Sequence, residues 1–173
     1  CSGIDLKKFN TNQVFIKKKD ELVFILVSRM LWSKGIYEFY KAAKNIKKKY
    51  SNIKFNILGP FQGSGDEAID YEIIKNWEKE KVIKYLGYSQ NVKKYLLLSD
   101  CLVLPTFYNE GTPKIILEAS ALKIPVITTN IKGCNIAVDD NVTGFLCKPK
   151  CISDLSLKIE KFINLTYHEK IKM

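Results

Sequence analysis

Apolar and polar positions along this chain alternate between two spacings. Leu22-Val23-Phe24-Ile25-Leu26-Val27 is a continuous apolar run of strand length, the pattern of a strand buried on both faces. After a turn from Ser28 to Gly35, the residues Ile36, Phe39, Tyr40, Ala43 and Ile46 recur at helical spacing, which predicts a helix to about Lys49. The same alternation continues. Ile53–Leu58 reads as a second strand, closed by Gly59-Pro60 and a loop with Gly63-Ser64-Gly65, and Asp66–Lys79 as a helix. Val82–Leu86 is a third short strand ending at Gly87, followed by a helix over Asn91–Ser99 and a fourth strand at Cys101–Leu104. A helix beginning near Pro113, a fifth strand at Pro125–Thr129, and a loop through Lys132-Gly133-Cys134 to a short turn or helix come next. Gly144–Cys147 is a sixth strand and Ser153–Asn164 a last helix. Residues 1–20 carry few periodic apolar positions and read as an interdomain linker; 21–164 form the domain, and 165–173 a tail that frays.

Strands alternating with helices imply an α/β fold, a Rossmann-like doubly wound and mostly parallel sheet of about six strands. Ligands of such sheets bind beyond the carboxyl ends of the strands. That rule gathers Arg29, Lys34, Gly59, Gly87, Glu110 and the amides of Gly111–Ile115 on one rim.

The stretch Pro105–Glu118 carries the most chemistry. It runs from an apolar strand through a polar turn into a helix, with Thr112 as its cap and Pro113 at its first position, where a missing N–H costs nothing. The exposed helix terminus suits an anion, with the N–H groups of Gly111, Thr112, Lys114 and Ile115 as donors. Ile115, Glu118, Ala119 and Leu122 share the spacing of a buried face. A carboxylate there needs a partner, either a lysine or the hydroxyl groups of a ligand. Glu110 fits the ordinary preference for acidic residues before a helix. Arg29 and Lys34, after the first strand, add a directional cation and a mobile one, together a clamp for a diphosphate. No Gly-x-Gly-x-x-Gly follows the first strand and no Gly-x4-Gly-Lys-Ser/Thr is present, which disfavours a dinucleotide dehydrogenase and a P-loop NTPase.

Composition narrows the class. The chain is 46% hydrophobic and 27% charged over 173 residues, enough for one domain with a substantial core. No run approaches the roughly eighteen apolar residues of a membrane span. The opening Cys1-Ser2-Gly3 has no initiator Met and no signal-peptide region, so the sequence reads as a fragment of a longer chain. Twenty-eight basic against 18 acidic residues leave a net charge of +10, with runs at Lys17-Lys18-Lys19 and at Lys47-Lys48-Lys49, the latter read as solvated helix-end lysines. Such a charge attracts nucleic acid, an anionic membrane or a phosphorylated substrate. Without zinc-finger spacing or an RNP-type aromatic motif, nucleic acid ranks last. Five cysteines without a Cys-x-x-Cys pair make a zinc site improbable. Cys101 reads as a small core hydrophobe, which implies a reducing, cytoplasmic compartment. His168, the single histidine, reads as an exposed tail residue.

Taken together, Ser28-Arg29-x4-Lys34-Gly35, Leu86-Gly87, Ser99-Asp100, Leu104-Pro105-Thr106, Glu110-Gly111-Thr112-Pro113-x4-Glu118-Ala119, Pro125-Val126-Ile127 and Gly133-Cys134 with Gly144-Phe145-Leu146 resemble a known pattern. It is that of the C-terminal, donor-binding half of retaining glycosyltransferases of family 4, the second domain of a GT-B fold, of the bacterial surface-polysaccharide type. The resemblance covers about residues 20 to 150, and Cys1–Phe9 is similar to the segment joining the two halves. It implies that Glu110 and Glu118 are the two carboxylates of the family's Glu-x7-Glu motif. Glu118 would accept the ribose hydroxyls of the nucleotide, and Glu110 would bind the donor sugar near its anomeric carbon. Arg29 and Lys34 would hold the diphosphate and stabilise its charge as it leaves, the amides of Gly111, Thr112, Lys114 and Ile115 would assist, and Gly87-Tyr88 would flank the base.

The implied activity is transfer of a sugar, with retained configuration, from a nucleotide-sugar to a glycan or lipid-linked acceptor. The donor expected is a UDP-hexose or UDP-N-acetylhexosamine. No Asp-x-Asp occurs, in keeping with a metal-independent enzyme that uses no cofactor. Ser28 stands where many relatives have Gly, and Lys132 and Asn135 replace a frequent Pro and Arg. The N-terminal acceptor domain, with its histidine, has no counterpart in the sequence, so the domain by itself is expected to bind nucleotide and to catalyse little. A basic surface at the inner face of the plasma membrane is a further expectation. The other functional classes compatible with these residues are a non-catalytic nucleotide or phosphosugar-binding module, and a nucleotide-sugar hydrolase or epimerase on a similar fold.

Overall fold

The structure, a computed structural model, describes residues 3–7, 9, 21–62, 65–109 and 111–173. Six strands, β1 (Leu22–Val27), β2 (Ile53–Leu58), β3 (Lys84–Tyr85), β4 (Cys101–Leu104), β5 (Val126–Thr129) and β6 (Gly144–Cys147), form one sheet in the order β3-β2-β1-β4-β5-β6. Every pairing is parallel, with Phe24 opposite Phe55 on one side and opposite Cys101 on the other. The order reverses between β1 and β4, the topological switch point where such sheets bind ligands.

The connecting helices are α1 (Ile36–Lys47), α2 (Tyr71–Lys79), α3 (Val92–Leu96), α4 (Lys114–Ala121) and α5 (Ile152–Asn164). Because successive side chains of a strand point to opposite faces, the unbroken apolar runs feed two cores. Phe24, Leu26, Phe55, Ile57 and Phe145 pack with Phe39 and Ala43 of α1, Trp77 of α2 and Ile159 and Phe162 of α5. Ile25, Val27, Leu102, Leu104 and Val126 pack on the other face with Leu96 of α3 and with Ile116 and Ala119 of α4. Phe24 stacks on Phe55 at 5.2 Å and meets Phe162 edge-on at 5.6 Å. Full burial of each such ring contributes about 1.5–3 kcal/mol.

Four expectations need correction. Asp66–Lys79 is not one helix: a 3-10 turn at Gly65–Glu67 precedes α2, whose N-cap Asp70 accepts from the Glu72 N–H. The segment before residue 21 is not merely a linker, because Phe9 is buried among the second core's residues; 10–20 lie outside the described residues. The tail is ordered as α6 (Tyr167–Lys172), closed by a capping box between Thr166 and Glu169, with His168 on its exposed surface. Finally, Lys47 and Lys49 are engaged rather than simply solvated: Lys47 Nζ donates to the Lys81 carbonyl at 2.7 Å and Lys49 pairs with Glu160 at 3.0 Å. The first lysine run lies outside the described residues.

Among the described residues no helix is long and apolar enough to cross a membrane. Cys101, Cys134 and Cys147 are buried free thiols, and Cys151 is a half-buried one.

Candidate functional site

The loop after β1 begins with Ser28, whose N–H donates to Leu58 O at 3.1 Å, and leaves Arg29 exposed. It then tightens into a 3-10 turn, Trp32–Lys34, that ends on Gly35 in the left-handed region at φ 75°. Gly35 is required twice over, since a Cβ there would lie 2.1 Å from the Pro105 carbonyl oxygen. That close approach lets the loop after β4 lie directly against the loop after β1. Phe107 N–H and Thr106 Oγ1 both donate to Ser33 O, at 2.9 and 3.0 Å. Lys34 is buried, 8% exposed, with its ammonium 5.0 Å from the centre of the Tyr108 ring.

Two threonines at the end of β5 hold the β4 loop from beneath. Thr128 Oγ1 donates to Leu104 O at 2.8 Å and Thr129 Oγ1 to Thr106 O. Thr106, Thr128 and Thr129 are fully buried and each hydroxyl has a partner, as buried polar groups require.

The loops after β2 and β3 complete the rim. Gly59 N–H donates to Gly87 O at 2.8 Å, and Gly59 O accepts from the Tyr85 hydroxyl at 2.8 Å. A Cβ on Gly59 would lie 1.8 Å from Ser28 O, so this loop is wedged against the start of the β1 loop. Gly87, at φ 77°, faces open space, and Tyr88 beyond it is exposed.

On α4 the local structure departs from expectation. Pro113 is itself the N-cap, at ψ 127°, and no side chain caps the helix, so Thr112 lies one residue too early to reach the first amides. The first backbone bond runs from Ile116 N to Pro113 O at 3.0 Å, which leaves the Lys114 and Ile115 N–H groups ahead of the helical ladder. The buried stripe of α4 is Ile116, Ala119 and Leu122, with Ile115 and Glu118 half-buried at its margin rather than on it. Glu110 lies outside the described residues.

The fold thus brings Arg29, Lys34, Gly59 and Gly87 into one continuous rim with the β4 loop, through direct contacts. Three groups beside it were not singled out by the sequence: Glu38 in the first turn of α1, Phe107, and Lys150 in the loop after β6. Lys150 Nζ lies 4.4 Å from the Phe107 ring centre. Burial pushes the Glu38 carboxyl above its ordinary value, against the pull of its own N–H and the Lys150 charge. The only sequence signal for Glu38 is its place three residues after Gly35, as a first-turn acid. For Thr128-Thr129, it is a pair of hydroxyl residues closing an apolar parallel strand.

Among the described residues no three His, Cys, Asp or Glu side chains gather into a metal-holding group.

A family model described as "Glycosyl transferases group 1" matches residues 7–172. Capsular polysaccharide biosynthesis glycosyltransferase CapM of Staphylococcus aureus is 32% identical over 171 residues, across 94% of this chain and 44% of that protein. The N,N'-diacetylbacillosaminyl-diphospho-undecaprenol alpha-1,3-N-acetylgalactosaminyltransferase of Campylobacter jejuni is 29% identical, across 99% of this chain and 45% of that protein. Among solved structures, Anabaena HepE in complex with UDP-glucose superimposes with a TM-score of 0.81 at 19% identity, covering 98% of this chain and 48% of that one. A C-terminal domain of a group 1 glycosyl transferase from Francisella tularensis gives 0.78 at 21% identity, covering 98% and 92%. The chain spans about half the length of the curated relatives it matches.

Proposed function

The chain belongs to the glycosyl transferases group 1 family, and from that premise we propose that it is the donor-binding part of a retaining sugar transferase that uses a UDP-sugar. The observation that carries this reading is the junction at the strand-order reversal. There Ser33 O joins the β4 loop to the β1 loop and sets Arg29 and Lys34 in one rim with the β4 loop that leads into α4.

In this reading Arg29 is the directional diphosphate ligand. It is exposed, and among the described residues its guanidinium has no hydrogen-bond partner. Lys34, mostly withdrawn from solvent, adds positive charge where water screens it less. The Lys114 and Ile115 amides and the positive end of α4 add fixed dipoles. Charge that develops on the diphosphate as its bond to the anomeric carbon breaks is met by groups already in position, the transition-state stabilisation expected of such a site. Glu118 accepts the ribose hydroxyls, Glu110 binds the sugar near the reacting carbon, and Gly87-Tyr88 flank the base. The leaving phosphate deprotonates the acceptor on the same face of the sugar, which keeps the configuration. The missing Asp-x-Asp supports transfer without a metal, with Arg29 and Lys34 as the counter-charges.

Relatives named for diphospho-undecaprenol acceptors favour a lipid-linked glycan as acceptor. The HepE complexes favour UDP as the nucleotide. An acceptor on a polyprenyl chain would keep the reaction at a membrane surface, on the cytoplasmic side where nucleotide-sugars are made. The acceptor site itself would come from the half of such a protein that this chain does not span.

Calorimetric titration with UDP, GDP and ADP tests the reading. UDP should bind, and Arg29→Ala and Glu118→Ala should each weaken it about tenfold or more, the scale of a lost charge-assisted hydrogen bond. Wild-type protein that binds none of the three, or variants that bind UDP unchanged, would sink the assignment.

A further inference from the structure

Glu38 Oε2 is a buried side-chain oxygen without a hydrogen-bond partner. A carboxylate oxygen in that state is unfavourable and asks for an explanation. The Lys150 charge acts on this carboxyl, and Glu38 Oε2 makes no hydrogen bond to it. Lys150 holds a left-handed backbone, φ 55°, which a residue with a Cβ adopts uncommonly. The base of its loop is anchored, since Lys148 N–H donates to Asp154 of α5 at 2.7 Å. From there the exposed lysine reaches across to the Phe107 ring, 4.4 Å from its centre, while the next ring along, Tyr108, carries the Lys34 ammonium at 5.0 Å.

We propose that Lys150 is a positioning residue, a brace that presses Phe107 onto the β1 loop and, through Tyr108, sets the position of Lys34. The series runs Lys150, Phe107, Tyr108, Lys34, two neighbouring aromatic residues with a cation on each. Removing Lys150 leaves the core untouched and frees the outer face of Phe107. The Ser33 junction then loses that outer support and keeps its two hydrogen bonds and the Gly35–Pro105 approach. The brace rests on the reading of Lys34 as a diphosphate ligand for its functional meaning, and on the structure alone for its mechanical one.

The test is amide hydrogen exchange at Phe107 and Tyr108 in wild type, Lys150→Met and Lys150→Arg, with a UDP titration of each. Lys150→Met should speed exchange at both amides about two- to fivefold, the size of a lost cation–aromatic contact at an exposed lysine. Exchange in the β1 and β4 strands and the thermal midpoint should stay as in wild type. Lys150→Arg should restore protection, since guanidinium also sits on aromatic faces. UDP affinity should fall about two- to fivefold in Lys150→Met and recover in Lys150→Arg. Exchange unchanged in Lys150→Met, an Arg variant as fast as the Met variant, or acceleration spread equally over every strand would overturn the brace. If wild type binds no UDP, the donor-site reading fails, while the exchange result still decides the brace.

Discussion

Thr106 Oγ1 donates to the carbonyl oxygen of Ser33 at 3.0 Å, across the point where the strand order reverses. The same hydroxyl accepts from the Tyr108 N–H at 3.2 Å, so one buried side chain both joins two loops and shapes one of them.

Thr106→Val keeps the shape and removes both bonds, leaving the Tyr108 N–H without that acceptor. Stability should fall by about 1–3 kcal/mol, read as a lower urea midpoint at unchanged slope. Thr106→Ser, which retains the hydroxyl, should recover most of the loss. A Val variant as stable as wild type would show that the junction does not depend on this hydroxyl.

Gly35 and Gly87 share a left-handed φ, 75° and 77°, but differ in their surroundings. An added Cβ meets the Pro105 carbonyl at 2.1 Å in one case and open space in the other. Gly87→Ala should therefore cost only backbone strain, about 1 kcal/mol. Gly35→Ala adds a clash that forces the two loops apart, and its cost should exceed 3 kcal/mol, roughly strain plus overpacking. Equal losses in a denaturation experiment would mean that the approach to Pro105 is easily relaxed.

Glu38 predicts an unusual pH dependence. Folding raises its pKa above the ordinary 4.5, so between the two values the folded chain holds more protons. The contribution of this group is least favourable above the raised pKa and improves as the pH falls through it. Glu38→Gln cannot ionise and should have a higher thermal midpoint than wild type at about pH 7, with the gap closing as the pH approaches 4.5. A lower midpoint for the variant at neutral pH would contradict the sign.

The thiols should separate cleanly by reactivity. Burial pushes Cys147 up to about 12 and Cys101 well above its usual value, whereas the Ser153 hydroxyl and the Asp154 N–H lower Cys151. Among the described cysteines a disulfide reagent at neutral pH should label Cys151 first, and Cys101, Cys134 and Cys147 only on unfolding. Peptide mapping after brief labelling checks this. Rapid modification of Cys147 in the native chain would be the contrary result.

Much of the fold was legible because burial on both faces leaves an unmistakable pattern. Leu22–Val27, Cys101–Leu104 and Gly144–Cys147 coincide with β1, β4 and β6 as their apolar runs predict, and Ile53–Leu58 coincides with β2, where Lys54 is exposed and Asn56 half-buried. Helix ends were less legible. Asp66–Lys79 carries helix-forming residues throughout, yet the Asp70 cap starts α2 at Tyr71. The tail helix rests on the Thr166–Glu169 box and on Lys170 donating to Ile163 O at 3.0 Å, contacts that no apolar periodicity announces.

The sequence by itself determined the class of the fold, its parallel sheet, and the residues that carry charge to the rim, because hydrophobic spacing and turn chemistry are local properties. Arg29 and Lys34 were readable as cations of the loop after β1 for the same reason, whereas the cap of α4 was read one residue early, at Thr112 instead of Pro113. Only the tertiary structure decided what joins them. The Ser33–Thr106 bond spans 73 residues, and the approach of Gly35 to Pro105 spans a similar distance in sequence. Lys150 reaches Phe107, and through it the same rim, only because α5 packs beside α1. Such contacts depend on where the chain returns to itself, and a local pattern holds no record of that.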